Sequence, residues 1–239
     1  DNNHHHVATG DGSKYTAKAV LIATGSSYKR LNIPGEDKYI GAGIHFCATC
    51  DGPFYKGMPV AVIGGGNSAT EESVFLTKFV EKVTLLVRGD ELSASKILQE
   101  KVLSHPQINV RFNTETIEFQ GAENKLKTVL IKNRNTDQNE EIHPSGVFTF
   151  IGQNPNTGFL AKSGVEINQW GFIVSGHDLV HDEPRPAGYE KRDPMLLETS
   201  VPGIFAAGDV RADSTKQVAS AAGEGATAAL LIREYLKSV

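Results

Sequence analysis

Val60-Ala61-Val62-Ile63-Gly64-Gly65-Gly66-Asn67-Ser68-Ala69 reads as an apolar strand that turns through three glycines into a helix. The strand is expected over residues 59–63 and the helix over 67–79, with Ala69, Val74, Phe75 and Phe79 available for one buried stripe. In the spacing Gly64-x-Gly66-x-x-Ala69, the first glycine permits a tight turn and the second lets the backbone approach a pyrophosphate. Ala69 lets helix and strand pack closely. Asn67 and Ser68 complete a candidate dinucleotide loop. The alternative is a tight strand-to-helix turn that holds no ligand.

The next strand, over residues 83–87, ends about twenty residues further on, where dinucleotide folds place their specificity residue. An acidic residue there accepts from a free ribose hydroxyl, and a basic one accommodates a 2′-phosphate. This chain offers Arg88 and then Gly89-Asp90-Glu91, one guanidinium against two carboxylates. Arg88 is the candidate phosphate contact, with an ordinary exposed charge as the competing reading.

Working outward, a helix over 94–103 and a strand over 108–112 continue the alternation, and residues 125–134 and 140–150 read as an antiparallel pair around Asn135-Thr136-Asp137. Upstream, Asp11-Gly12 is a hairpin-type turn, and 19–23 is a buried strand stopping at Thr24-Gly25. That strand needs partners, and nothing before residue 14 is long enough to supply a βαβ unit. The chain is therefore expected to be one piece of a larger polypeptide, with residues 1–6 either loop or an appended tail. Downstream, 153–158 is a polar hinge, 171–174 is strand-like, and the charged, proline-containing stretch 178–194 reads as a solvated surface loop. A strand over 203–210 ends in Gly208-Asp209 before a long helix over 217–236. Such an end puts a carboxylate and free backbone N–H groups at one ligand edge, though Asp209 as a helix cap is the simpler alternative.

Cys47-Ala48-Thr49-Cys50-Asp51-Gly52 comes shortly before the glycine loop. Two thiols separated by two residues close a small ring and are suited to reversible two-electron exchange. Structural zinc needs four ligands, and the chain has 2 Cys and 8 scattered His. A stapled secreted domain would be smaller and richer in Cys, so the compartment reads as reducing and cytosolic.

With 239 residues, 39% of them hydrophobic, the chain has enough apolar material for one or two cores. A net charge of -4 argues against nucleic acid. No apolar run approaches the roughly 20 residues that span a bilayer.

The Cys47–Asp51 motif, the loop 64–72, Ala23-Thr24-Gly25 and Gly203-Ile204-Phe205-Ala206-Ala207-Gly208-Asp209-Val210 together resemble the low-molecular-weight thioredoxin reductases, from about residue 14 onward. The resemblance implies an α/β protein of two Rossmann-like three-layer domains. A FAD domain, here 1–41 and 153–239, is interrupted by an inserted NAD(P)-type domain, 42–152, that carries the Cys pair. It further implies a cytoplasmic homodimer whose domains rotate as electrons pass from NADPH or NADH through FAD to the disulfide, and on to thioredoxin or a small disulfide. Cys50 would face the flavin, Cys47 would attack the partner disulfide, and Asp51 would move the proton. Thr24, Gly25, Gly208 and Asp209 would contact FAD, and Lys216-Gln217-Val218 would stand where the family has Arg-Gln-Ala beside the isoalloxazine.

Three departures qualify that picture. The family's N-terminal Gly-x-Gly-x-x-Gly is absent from this sequence. Its His-Arg-Arg-x-x-x-Arg phosphate signature reads Val87-Arg88-Gly89-Asp90-Glu91-Leu92-Ser93, with one arginine remaining. The stretch 178–194 is similar to an atypical branch of the family. Ferredoxin or another donor in place of a pyridine nucleotide is therefore a second reading, and a nucleotide-binding fragment without turnover is a third.

Overall fold

The computed structural model describes residues 4–181 and 184–239. In chain order the elements are β1 (His5–Ala8), β2 (Lys14–Ala17), β3 (Val20–Ile22), β4 (Ser26–Tyr28), α1 (Glu36–Tyr39), β5 (Ile44–His45), α2 (Ala48–Asp51) and β6 (Pro59–Ile63). They continue as α3 (Asn67–Leu76), β7 (Lys82–Leu86), α4 (Lys96–Leu103), β8 (Ile108–Arg111), β9 (Thr114–Ala122), β10 (Lys125–Asn133), β11 (Asn139–Ile142) and β12 (Gly146–Thr149). Last come β13 (Gln153–Pro155), β14 (Ile204–Ala206) and α5 (Val218–Leu236). The chain divides into two compact units, residues 28–152 and residues 1–27 with 153–239.

The unit 28–152 is built on a five-stranded sheet, order β5-β12-β6-β7-β8, with every neighbouring pair parallel. Side chains alternate across a strand, so β6 sends Val60 and Val62 to one face and Ala61 and Ile63 to the other. Val60 and Val62, with Val83, Leu85 and Phe148, pack against Ala69 and Leu76 of α3 and Val102 of α4. Ala61 and Ile63, with Leu86 and Val147, pack against Phe119, Leu126, Val129 and Ile131 of a three-stranded antiparallel sheet, order β11-β10-β9. The result is the three-layer α/β arrangement with a Rossmann-type parallel sheet that the strand and helix periods indicate. Each fully buried Leu or Val contributes about 1.5–3 kcal/mol, so the continuous apolar strands are what fix the layers.

Two local expectations differ from the structure, and one strand has no expectation behind it. Residues 140–150 do not form one strand: 139–142 pair with β10, and 146–149 leave to join the parallel sheet. The break falls at His143-Pro144, where proline removes a ladder donor. β9 had no sequence-level counterpart, because Thr114 to Ala122 is only half buried and mixes polar with apolar residues. The helix from Asn67 stops at Leu76, three residues short of Phe79.

In the other unit, β3 and β14 run parallel, with Ile204 opposite Val20 and Ala206 opposite Ile22. Phe205 and Ala207 face Ala228 and Tyr235 of α5, and Ile22, Ile204 and Ala206 face Leu160, Val165, Ile173 and Val210. β1 and β2 form the hairpin expected around Asp11-Gly12. Residues 171–174 make only isolated bridges at Ile173 and no strand. Residues 182 and 183 of the stretch 178–194, and residues 1–3 of the terminal segment, lie outside the described residues. The rest of 178–194 is not simply solvated: the Tyr189 side chain is fully buried and its hydroxyl donates to the Thr199 carbonyl at 2.6 Å.

Candidate active site

Cys47 and Cys50 are joined by a disulfide, with their Cα atoms 5.3 Å apart. Cys47 has an extended backbone at the N-cap of the one-turn α2, and its sulfur accepts the Cys50 N–H at 3.1 Å. Ala48 is buried in the helix-side core, which pins the turn to the sheet. Gly52 is buried too, and a Cβ there would sit 2.9 Å from the Leu76 side chain at the end of α3. Before the pair, Phe46 stacks on Tyr28 at 4.7 Å and lies under the Arg30 guanidinium at 5.4 Å. After it, Phe54 is 78% exposed.

Asp51 closes the same turn. Its Oδ2 is 3.4 Å from Nδ1 of His45, whose Nε2 is 2.6 Å from the Tyr55 hydroxyl. His45 reaches this position because β5 alternates: Ile44 enters the core facing the antiparallel sheet, and His45 turns to the other face beside Phe148. Burial lowers the His45 pKa, opposed by the Asp51 charge. Burial raises that of Tyr55, and the same charge adds to it.

Gly64 lies at the carboxyl end of β6 with φ 145°. A Cβ there would collide with the Phe150 carbonyl and come within 2.8 Å of the Ala69 Cβ, so the strand-to-helix turn is as tight as its spacing implies. Gly66 caps α3 with no side-chain hydrogen bond, which leaves the helix N-terminus open toward solvent at Asn67 and Ser68. Asn67 Oδ1 accepts the Ser95 N–H at 2.8 Å, and Gly65 O accepts the Ser93 N–H at 2.8 Å. These bonds draw the segment after β7 over the loop. Arg88 is exposed at the end of β7, and Arg134, from the β10 to β11 turn, donates to its carbonyl at 3.1 Å. A second guanidinium therefore stands at the strand end where the sequence offered one. This edge, where β6 and β12 part in chain order, is where open parallel sheets bind ligands.

In the unit 1–27 with 153–239, the carboxyl ends of β3 and β14 share one edge. Thr24 and Asn156 exchange bonds there, Thr24 Oγ1 to Asn156 O and Asn156 Nδ2 to Thr24 O, both 2.8 Å. Gly25 has φ 70° with open space around its α-carbon. Gly208 turns with φ 76°, its N–H held by Glu224 Oε2 at 2.7 Å, and Glu224 is paired with Arg211. Asp209 follows, half exposed, ahead of the N-terminus of α5. Gln217 is the N-cap of α5, and Val218, its first residue, is 88% exposed. Lys216 points inward: its ammonium donates to Arg211 O at 2.8 Å and to Ser214 Oγ at 2.6 Å, and lies 4.2 Å from the Phe172 ring centroid. Burial lowers its pKa, with Asp209 opposing.

The structure thus gathers Cys47, Cys50 and Asp51 in one turn, and Gly64, Gly66, Asn67, Ser68, Ala69 and Arg88 at one sheet edge of the same unit. Thr24, Gly25, Gly208, Asp209, Gln217 and Val218 lie along an edge of the other unit, with Lys216 turned away. Sequence reasoning passed over His45, Tyr55 and Arg134. His45 stands two residues before Cys47 at the end of β5, and closeness in sequence was the signal that could have found it; nothing in the sequence pairs Arg134 with Arg88.

The family described as Pyridine nucleotide-disulphide oxidoreductase matches residues 1–225. A thioredoxin reductase of Treponema pallidum is 41% identical over 234 residues, covering 98% of this chain and 69% of that protein. A thioredoxin reductase of Schizosaccharomyces pombe is 41% identical over 227 residues, covering 94% of this chain and 65% of that protein. The crystal structure of thioredoxin reductase from Streptococcus pyogenes superposes with a TM-score of 0.84 at 37% identity, covering 99% of this chain and 71% of that one. The chain thus spans about two thirds of the length of these relatives. Among the described residues no helix is long and apolar enough to cross a membrane.

Proposed function

Because this chain belongs to the pyridine nucleotide-disulphide oxidoreductase family, as a flavoprotein oxidoreductase of thioredoxin reductase type, we propose that its disulfide passes electrons to a thioredoxin-like protein or a small disulfide. The observation that carries this reading is the bonded Cys47–Cys50 pair on one turn with Asp51. Cys47 would attack the substrate disulfide, Cys50 would resolve the mixed disulfide and would be the sulfur that faces FAD when it is bound, and Asp51 would take or give the accompanying proton. The exposed Phe54 beside the pair offers an apolar contact for a protein substrate.

FAD, the family's cofactor, supplies two-electron transfer between a nicotinamide and a disulfide. The edge formed by β3, β14 and the start of α5 fits part of it: Gly25 and Gly208 give a turned backbone close to the ligand side, and half-exposed Asp209 offers a carboxylate. We assign the unit 1–27 with 153–239 to the FAD side and the unit 28–152 to the nicotinamide side. A pyridine nucleotide is the donor we favour, its pyrophosphate on the Gly64–Gly66 turn and a 2′-phosphate between Arg88 and Arg134. A homodimer in a reducing cytoplasm completes the proposal.

The intact protein tests this directly. Cys47→Ser and Cys50→Ser are expected to abolish reduction of a disulfide substrate while leaving flavin reduction intact; turnover at the parent rate would overturn the proposal. Anaerobic titration with NADPH, NADH and reduced ferredoxin separates the donors. Bleaching of the flavin by ferredoxin alone would remove the nucleotide from the scheme.

A further inference from the structure

We propose that His45 is a positioning residue that feeds protons to Asp51, drawing them through Tyr55 from solvent on the side of the unit away from the nucleotide edge. The proposal rests on the redox role of the Cys pair. It stands on one line of contacts: Asp51 Oδ2 to His45 Nδ1 at 3.4 Å, and His45 Nε2 to the Tyr55 hydroxyl at 2.6 Å. Tyr55 in turn lines an open cavity of about 930 Å³ at the amino ends of β6 and β12, bordered by Lys125, Lys127, His143 and Ser145.

The direction of the line follows from donor and acceptor capacity. An ionised carboxylate only accepts, so His45 places its proton on Nδ1 toward Asp51, and Nε2 is left to accept from the Tyr55 O–H. Every hydrogen in the chain then points from the cavity to the Cys pair. His45 is held rigidly for this purpose, its ring 5.4 Å from those of Tyr55 and Phe148. The titratable groups facing it are Asp51 from α2 and Tyr55 from the following 3-10 turn; β12 presents the apolar Phe148. Burial disfavours both the charged imidazolium and the phenolate, although the Asp51 charge opposes it at His45. Gly146 is small because the Tyr55 ring lies directly upon it, with the hydroxyl 2.8 Å from where a Cβ would be.

When a two-electron reductant opens the Cys47–Cys50 bond, one sulfur leaves with the bonding pair and takes a proton that the Asp51 carboxylate relays from His45 Nδ1. The other sulfur forms a mixed disulfide with the reductant and leaves as a thiolate when the reductant's second thiolate attacks that mixed disulfide and closes the reductant's own disulfide. As Nδ1 gives up its proton, Nε2 takes the Tyr55 proton and Tyr55 takes one from cavity water, leaving Asp51 ionised. The balance is one solvent proton and two electrons in, one thiol and one thiolate out.

The test uses the disulfide of the chain itself and dithiothreitol as reductant, so it depends on neither nucleotide, flavin nor substrate protein. Stopped-flow rates of disulfide opening are compared for the parent, His45→Gln and Tyr55→Phe over about pH 5 to 8, the range in which an imidazole titrates, in water and in deuterium oxide. Both variants are expected to slow opening by roughly tenfold, a part of the usual effect of general acid catalysis, with a changed pH profile and a smaller solvent isotope effect. The double variant is expected to be no slower than either single one. Unchanged profiles and isotope effects in Tyr55→Phe, which retains the ring and its packing, would overturn the relay even if His45→Gln failed to fold. That outcome would leave the Cys47→Ser and Cys50→Ser test of the proposed function untouched.

Discussion

Arg192 holds Glu198 by both guanidinium ends, Nη1 to Oε2 at 2.7 Å and Nη2 to Oε1 at 2.8 Å. The Glu198 side chain has 0% exposure and also accepts the backbone N–H groups of Met195 and Gly203, each at 2.9 Å. One carboxylate therefore ties the stretch before β14 to the strand itself. Arg192→Ala strands a buried charge. Because Arg192 is 38% exposed, the cost is expected at about 2–3 kcal/mol, below that of a fully buried pair, and read from a denaturant midpoint.

The same carboxylate sets an acid limit. Burial pushes the Glu198 pKa up, but Arg192 and the two backbone donors outweigh it and the net shift is downward. A depressed carboxylate contributes stability that is present above its unfolded value, about 4.3, and is lost as pH falls through the lower folded value. Glu198→Gln is expected to flatten the acid limb of the stability curve below about pH 4. A parent-like limb in that variant would contradict the assignment.

His45 contributes a second, higher limb of the same sign. Its pKa is lowered chiefly by burial, so below about 6.5 the unfolded chain binds a proton that the folded chain resists. Stability is expected to decline as pH drops through the imidazole range. In His45→Gln, chemical denaturation across that range is expected to show a shallower slope.

Arg134→Ala removes the guanidinium beside Arg88 without touching the core. An exposed charge-assisted contact to phosphate is worth about 1 kcal/mol, so KM for NADPH is expected to rise about fivefold. KM for NADH should stay within error. An equal rise for both nucleotides would mean that Arg134 supports the fold of the edge and does not read the phosphate.

Gly64→Ala is the sharpest probe of the turn. A methyl group at φ 145° meets the Phe150 carbonyl and the Ala69 Cβ, and strain of this kind costs about 1–3 kcal/mol. Nucleotide binding measured by calorimetry is expected to disappear while the Cys47–Cys50 pair, at the far end of α3, remains reducible.

The parallel sheet was legible because its strands are apolar on both faces, as in Val60 to Ile63; the stripe expected on α3 was not, since its buried face is Ala69, Thr70, Ser73 and Leu76 while Val74, Phe75 and Phe79 are only partly buried. The dithiol and glycine loop were legible because their chemistry is written in consecutive residues. What escaped depends on approach between distant segments. β12 looked like a continuation of β11 until the parallel partner β6 claimed it. The charged stretch around Tyr189 looked solvated because its anchor, Glu198, is just as polar in sequence as a surface residue. His45, Tyr55 and Arg134 each act through a neighbour that no local period identifies.

The contact of Gly52 with Leu76 sets a reach problem. Leu76 ends α3 and Gly66 begins it, so ten helical residues, about 15 Å of rigid rod, separate the seat of the Cys pair from the seat of a nucleotide. Neither terminus of a packed helix travels toward the other. A nucleotide whose pyrophosphate rests on Gly66, as proposed above, is therefore anchored a helix length from the sulfur atoms that share its unit.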